Sequence, residues 1–212
     1  MYRIMLSCLC GVVLASPAAA SSRKFPWLYD PGIMPVGDVE YEQWVTLKRD
    51  KQSDSDYEEW KFRHEIEWGA TENLQLAIYL ADWRYKQDSS RTKVQYRDVA
   101  FEAIYSLQKG TEGDPDIAVY GEIKVGDELI ELEGKGLFQW DIGQTTLLYN
   151  ITLEAEWEGR HYNEDKGKLE NAVAIGWQLE PTTTVGIQAL YEVEFDDWAG
   201  SGEGVLYVGP SL

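Results

Sequence analysis

Between Tyr57 and Trp68 the side chains sort into two sets with a period of two. Trp60, Phe62, His64, Ile66 and Trp68 form one set, and Glu59, Lys61, Arg63, Glu65 and Glu67 form the other. Successive side chains of a strand point to opposite faces, whereas a helix would mix the two sets around its circumference, so the run predicts a β-strand with one apolar and one charged face. Its twelve residues span about 40 Å when extended, roughly twice the usual strand of a soluble sheet. Tilted by roughly 40°, such a strand covers the apolar band of an outer membrane, about 25 Å tall.

The same period recurs along the chain. Alternating runs are expected at Val39–Arg49, Tyr57–Trp68, Leu74–Tyr85, Val94–Leu107, Ile117–Val125, Leu129–Asp141, Thr146–Trp157, Leu169–Leu179 and Thr183–Phe195, with a last one from Val205. These ten strands form one domain with no helical periodicity between them. Connections after even-numbered runs include the tight Gly69–Asn73, Ile142–Thr145 and Glu180–Thr182. Those after odd-numbered runs include the longer Asp50–Asp56, Lys86–Lys93, Glu158–Lys168 and Asp196–Gly204. Short turns on one side and longer loops on the other match an outer-membrane barrel, although Gly126–Glu128 and Gln108–Asp116 depart from the rule. The expected fold is an all-β, antiparallel up-and-down transmembrane β-barrel.

Alternation does not say which face points inward. A soluble barrel with an apolar interior has the same period in the opposite sense, but ten long strands enclose more space than apolar side chains readily fill. The apolar face is therefore assigned to lipid and the polar face to a lumen. On that orientation Glu59, Lys61, Arg63, Glu65, Glu67, Glu102, Glu122, Glu131, Glu133, Lys135, Glu154, Glu156, Glu192 and Glu194 line the lumen, with Glu40, Glu42, Lys48 and Lys124 in the same set. Trp60, Trp68, Trp83, Trp140, Trp157 and Trp177 fall at or near strand ends, where aromatic girdles meet the membrane interfaces.

Residues 1–20 carry Arg3, an apolar run from Ile4 to Leu14 and Ala18-Ala19-Ala20, the pattern of a secretory signal. Residues 21–37, with Pro26, Pro31 and Pro35 among Trp27 and Tyr29, are expected to be a periplasmic N-terminal lead-in, and 38–212 the barrel domain. Cys8 and Cys10, the only cysteines, lie in the signal, so neither disulfides nor thiolate chemistry are expected. A net charge of −18 argues against nucleic acid as a partner and favours cations. The partners expected instead are outer-membrane lipid, small solutes and the outer-membrane assembly machinery.

Carboxylate rings select cations in channels. Interleaved lysines and arginines could instead knit a closed, ion-paired interior, and both readings stay open. No catalytic, metal or cofactor site is expected. Two histidines, His64 on the apolar face and His161 in a loop, leave little for a triad, and zinc spacings, P-loops and dinucleotide fingerprints do not occur.

VEYEQWVTLKR, HEIEWGATENLQLAIYL, FEAIYSL, DPDIAVYGEIKVG, ITLEAEWE and VLYVGPSL together resemble an uncharacterised family of bacterial outer-membrane β-barrels. That family is similar in layout to outer-membrane transporters linked to phenol-degradation meta-cleavage pathways. The resemblance implies about twelve strands and carries over no functional residues. Since the chain stops at Leu212, a barrel lacking its terminal strands is an alternative to closure at ten. The expected function is passage of small solutes across the outer membrane through an acidic lumen. A structural or surface-interaction barrel with a closed lumen, and a soluble barrel binding an apolar ligand, are the alternatives.

Overall fold

A computed structural model describes residues 24–51, 54–111, 113–181, 183–198, 202 and 204–211. The signal expected over 1–20 lies outside the described residues. Ten strands follow one another: β1 (Val39–Lys51), β2 (Asp54–Thr71), β3 (Leu74–Gln87), β4 (Thr92–Gln108), β5 (Asp116–Gly126), β6 (Leu129–Ile142), β7 (Thr145–Glu158), β8 (Glu164–Glu180), β9 (Thr183–Asp196) and β10 (Gly204–Ser211). They form one antiparallel sheet in sequence order. Among the described residues no ladder joins β10 back to β1, and no helix is long and apolar enough to cross a membrane.

Several strands run past their expected ends. β8 begins at Glu164, inside the stretch expected to be a loop from Glu158 to Lys168, and the loop expected over Lys86–Lys93 shrinks to 88–91. Apolar alternation marks only the stretch where one face is apolar. Lys166 and Lys168 keep the polar phase while the opposite face turns polar too, and the ladder continues through Lys166↔Asp196 and Lys168↔Glu194.

The sheet is inverted relative to a soluble protein. Its buried side chains include Glu59, Glu65, Glu67, Gln75, Glu102, Glu122, Glu131, Asn150, Thr152 and Gln188. Its exposed ones include Leu153 (62 %), Leu179 (58 %), Ile175, Ile187, Phe101 and Tyr105. Curvature buries the polar side. Arg63 on β2 and Glu122 on β5 are three strands apart, about 14 Å on a flat sheet, yet Arg63 Nη2 lies 2.8 Å from Glu122 Oε2. The sheet curls with its charged face inside. The exposed apolar side chains lie on the opposite side of the curl.

Two irregularities keep that polarity in phase. β3 carries one extra residue between Tyr79 and Asp82 relative to β4, and β4 carries Arg97 as an extra residue between Asp98↔Asp82 and Tyr96↔Trp83. Such bulges shift which residues face which side. Tyr79 is buried and Leu80 exposed before the bulge; Asp82 and Arg84 face in beyond it, so Trp83 stays on the outer face and stacks on Phe62 with ring centroids 4.1 Å apart.

Residues 24–37 do not lead away from the sheet; they lie inside its curl. Phe25 and Leu28 are buried against Leu148, Ala172 and Ala174. Trp27 N donates to Gln188, Tyr29 N to Asn150 Oδ1 at 2.7 Å, and Met34 N to Gln75 Oε1 at 2.8 Å. The segment thus touches β9, β7 and β3 in turn and is joined to β2 by a Gly37 N to Gly69 O hydrogen bond just before β1 begins. Small inward residues make room for it: a Cβ on Gly176 would lie 2.6 Å from the Phe25 ring, and one on Gly69 would lie 2.1 Å from the Pro35 carbonyl oxygen.

Candidate functional site

The charged inner face is the candidate site, and every sequence-assigned lumen residue has the strand phase that faces it. In its centre Arg63 lies over the Tyr79 ring, 3.6 Å from the centroid, and donates to Glu122. Lys124 Nζ sits 2.7 Å from Glu122 and 2.5 Å from Glu131. Lys135 pairs with Glu133 at 2.7 Å and lies 4.4 Å from the Tyr29 ring centroid. Beyond these, Lys168 bridges Glu154 at 2.6 Å and Glu170 at 3.1 Å, and Lys166 bridges Glu156 and Glu158. Lys61 and Arg84 approach Glu59, and Tyr207 Oη donates to Glu192. Glu194 shares the phase of Glu192 but is exposed near the end of β9.

The pairing follows from the ladder. Glu122↔Glu133, Lys124↔Glu131, Glu133↔Glu154 and Glu154↔Lys168 are directly opposed across β5 to β8. Opposed residues have Cβ atoms about 5 Å apart, so a lysine in one row is held between carboxylates of its neighbours. Desolvated charges persist only where they are paired and hydrogen-bonded. Lysine and arginine therefore belong on this face as much as glutamate does.

Two spaces remain. One of about 390 Å³ is lined by Pro26, Tyr29, Trp44, Thr46 and charged groups of β2 to β6, among them Lys61, Asp82, Asp98 and Lys124. The other, of about 200 Å³, lies between residues 29–38 and the carboxylates of Glu40, Glu42 and Glu67. The N-terminal segment lines both. Its Tyr29 packs edge-on against Tyr120 with ring centroids 4.9 Å apart.

The six assigned tryptophans share the outer phase and fall in two rows. Trp68, Trp140 and Trp177 lie towards the C-terminal ends of β2, β6 and β8. Trp60, Trp83 and Trp157 lie at the opposite end of the sheet. Trp157 is opposed to Ile130, ten positions along β6 from Trp140, and that distance is about 33 Å along the strand. His64 is on the same outer face, with Nδ1 2.7 Å from Tyr41 Oη, and His161 is exposed.

Sequence reasoning missed the inner role of residues 24–37 and of Asp82, Arg84, Asp98, Tyr79 and Tyr120. The aromatic content of 25–29 and the run of small inward residues Ala172, Ala174 and Gly176 are the signals that could have found the first. The parity change from Leu80 to Trp83 could have found the bulge. No protein-family model matches the chain, and no curated protein matches it.

Proposed function

We propose that this chain is a bacterial outer-membrane β-barrel that passes small solutes through a charged lumen, exported by its N-terminal signal and inserted by the outer-membrane assembly machinery. One observation carries the reading: an outer face rich in exposed Leu, Ile, Val and Tyr surrounds an inner face of paired Glu, Lys and Arg. Water would expel that outer face, whereas hydrocarbon accepts it. The two tryptophan rows support it too. At a tilt of roughly 40° their separation along β6 and β7 corresponds to about 25 Å, the height of an outer-membrane apolar band. The resemblance to outer-membrane barrels of about twelve strands fits this reading, with closure made either by β1 and β10 or by further strands. The paired inner charges leave an excess of carboxylate, which biases passage towards cations and neutral compounds.

Residues 24–37 occupy the inner face, and this favours a second reading in which the lumen is closed and the barrel serves a structural or surface-interaction role. Conductance in a planar bilayer separates the two. The pore reading expects small, cation-preferring steps from the full chain and steps several-fold larger when residues 24–34 are deleted. Silence from both chains, each folded by heat-modifiable migration, would favour the closed barrel.

A further inference from the structure

Glu67 on β2, Ala77 on β3 and Glu102 on β4 are directly opposed in one row across three strands. Ala77 is fully buried and has only a methyl group to place between its neighbours. The two glutamates flanking it lean together over that gap, and Glu65, two residues before Glu67 on the same face, joins them. One carboxylate oxygen from each of the three lies within 4.8 Å of the others. Glu65 and Glu102 are each 1 % exposed. Tyr79 Oη donates to Glu102 Oε2, and Gln75 Nε2 donates to Glu67 Oε2 at 2.9 Å, which fixes two of the three in place.

Neither of these bonds reaches Glu65, whose Oε1 is buried and has no hydrogen-bond donor among the described residues. A buried carboxylate oxygen without a donor is costly, and costlier beside two further carboxylates. Of the two further triads on this face, Glu40, Glu42 and Glu67 share Glu67 with the first, and Glu131, Glu133 and Glu154 have Lys124, Lys135 and Lys168 threaded through them. Beside the first triad, Arg63 stacks on Tyr79 but gives its Nη2 to Glu122.

We infer that Glu65, Glu67 and Glu102 form a binding site for a hard divalent cation, calcium foremost. A cation between the three supplies the positive charge that Glu65 Oε1 lacks. All-oxygen ligation by carboxylates, with water completing the shell, suits calcium better than the softer metals that seek sulfur or imidazole. Calcium tolerates irregular geometry and binds carboxylates in one- or two-oxygen mode, while magnesium demands a near-ideal octahedron and holds its waters. The 200 Å³ space lined by Glu40, Glu42 and Glu67 adjoins the triad and gives an acidic approach to it. The inference does not rest on membrane insertion, because the three side chains converge whatever covers the outer face.

The test is calorimetric titration of calcium chloride into the full folded chain after chelator treatment, with thermal unfolding measured in parallel. Saturable binding near one ion per chain is expected, with an unfolding temperature that rises with calcium. Glu65→Gln keeps the shape and removes one charge, so its affinity falls on the order of tenfold or more. Without metal, Glu65→Gln unfolds at a higher temperature than the parent, since repulsion is relieved; this readout also shows that the variant folds. Absence of saturable binding by calcium, magnesium or manganese overturns the inference. So does binding that survives Glu65→Gln but is lost in Glu131→Gln, which would move the ion to the triad of Glu131, Glu133 and Glu154.

Discussion

A methyl group on Gly176 would lie 2.6 Å from Phe25 Cζ and 2.8 Å from Thr184 Cγ2. Both contacts are shorter than real Cβ atoms make, so Gly176→Ala expels the Phe25 ring from its seat beside Leu148 and Ala172. Overpacking of this kind costs roughly 1–3 kcal/mol. Urea unfolding should show that loss for Gly176→Ala, and a smaller further loss when Phe25→Ala is added, because the two changes share one contact. Full additivity would mean that Phe25 is not held there. At the opposite end of the sheet, Asp88 Oδ1 accepts from Ser90 Oγ, Ser90 N and Arg91 N in the turn between β3 and β4. The Ser90 hydroxyl and then the Ser90 and Arg91 amides hold the Asp88 carboxyl below its ordinary 3.8. A lowered folded-state value stabilises above the unfolded one and is lost as pH falls through it. The Ser90 and Arg91 amides should therefore keep their protection from hydrogen exchange down to pH 3.8 and lose it below; protection that persists unchanged in Asp88→Ala would contradict this.

Each strand must keep its apolar residues out over its whole length, and β3 does so only because it is irregular. Leu74, Leu76, Ile78 and Leu80 lie on even positions, whereas Trp83 and Tyr85 lie on odd ones, and the extra residue between Tyr79 and Asp82 joins the two stretches. Removing Ala81 straightens the strand and leaves both stretches in phase. Removing Ile78 instead either keeps the bulge and turns one whole stretch to the wrong face, or straightens the strand and turns Tyr79 out of its buried place and Leu80 into the charged interior. The Ala81 deletion should therefore still fold, and the Ile78 deletion should lose the heat-modifiable band; equal behaviour of the two would contradict the assigned bulge. The alternation itself was legible in the sequence because period two is a local property, and all ten strands can be read from it. The bulges left a weaker trace, a change of parity that loop residues also produce. Residues 24–37 left a trace of another kind: aromatic content at 25–29 points to burial, but their partners Gln75, Asn150 and Gln188 are 41 to 161 positions away, and no local pattern says where the segment docks.

For the whole molecule the consequence is an inside-out ledger of polarity. Charges are paired across neighbouring strands within, large apolar side chains are displayed without, and a Pro-rich segment fills the space that small inward residues leave. The glutamates assigned to the interior from sequence were legible because their phase opposes the tryptophans. Which of them pair was not, since pairing depends on register, and register is fixed between strands. Nitroxide labels at successive positions 147–153 of β7, introduced one at a time and measured in lipid vesicles, test the central claim most directly. Accessibility to oxygen should peak at 147, 149, 151 and 153, and accessibility to a water-soluble nickel complex at 148, 150 and 152. Labels at the odd positions that meet the nickel complex and not oxygen would contradict an apolar face turned to lipid.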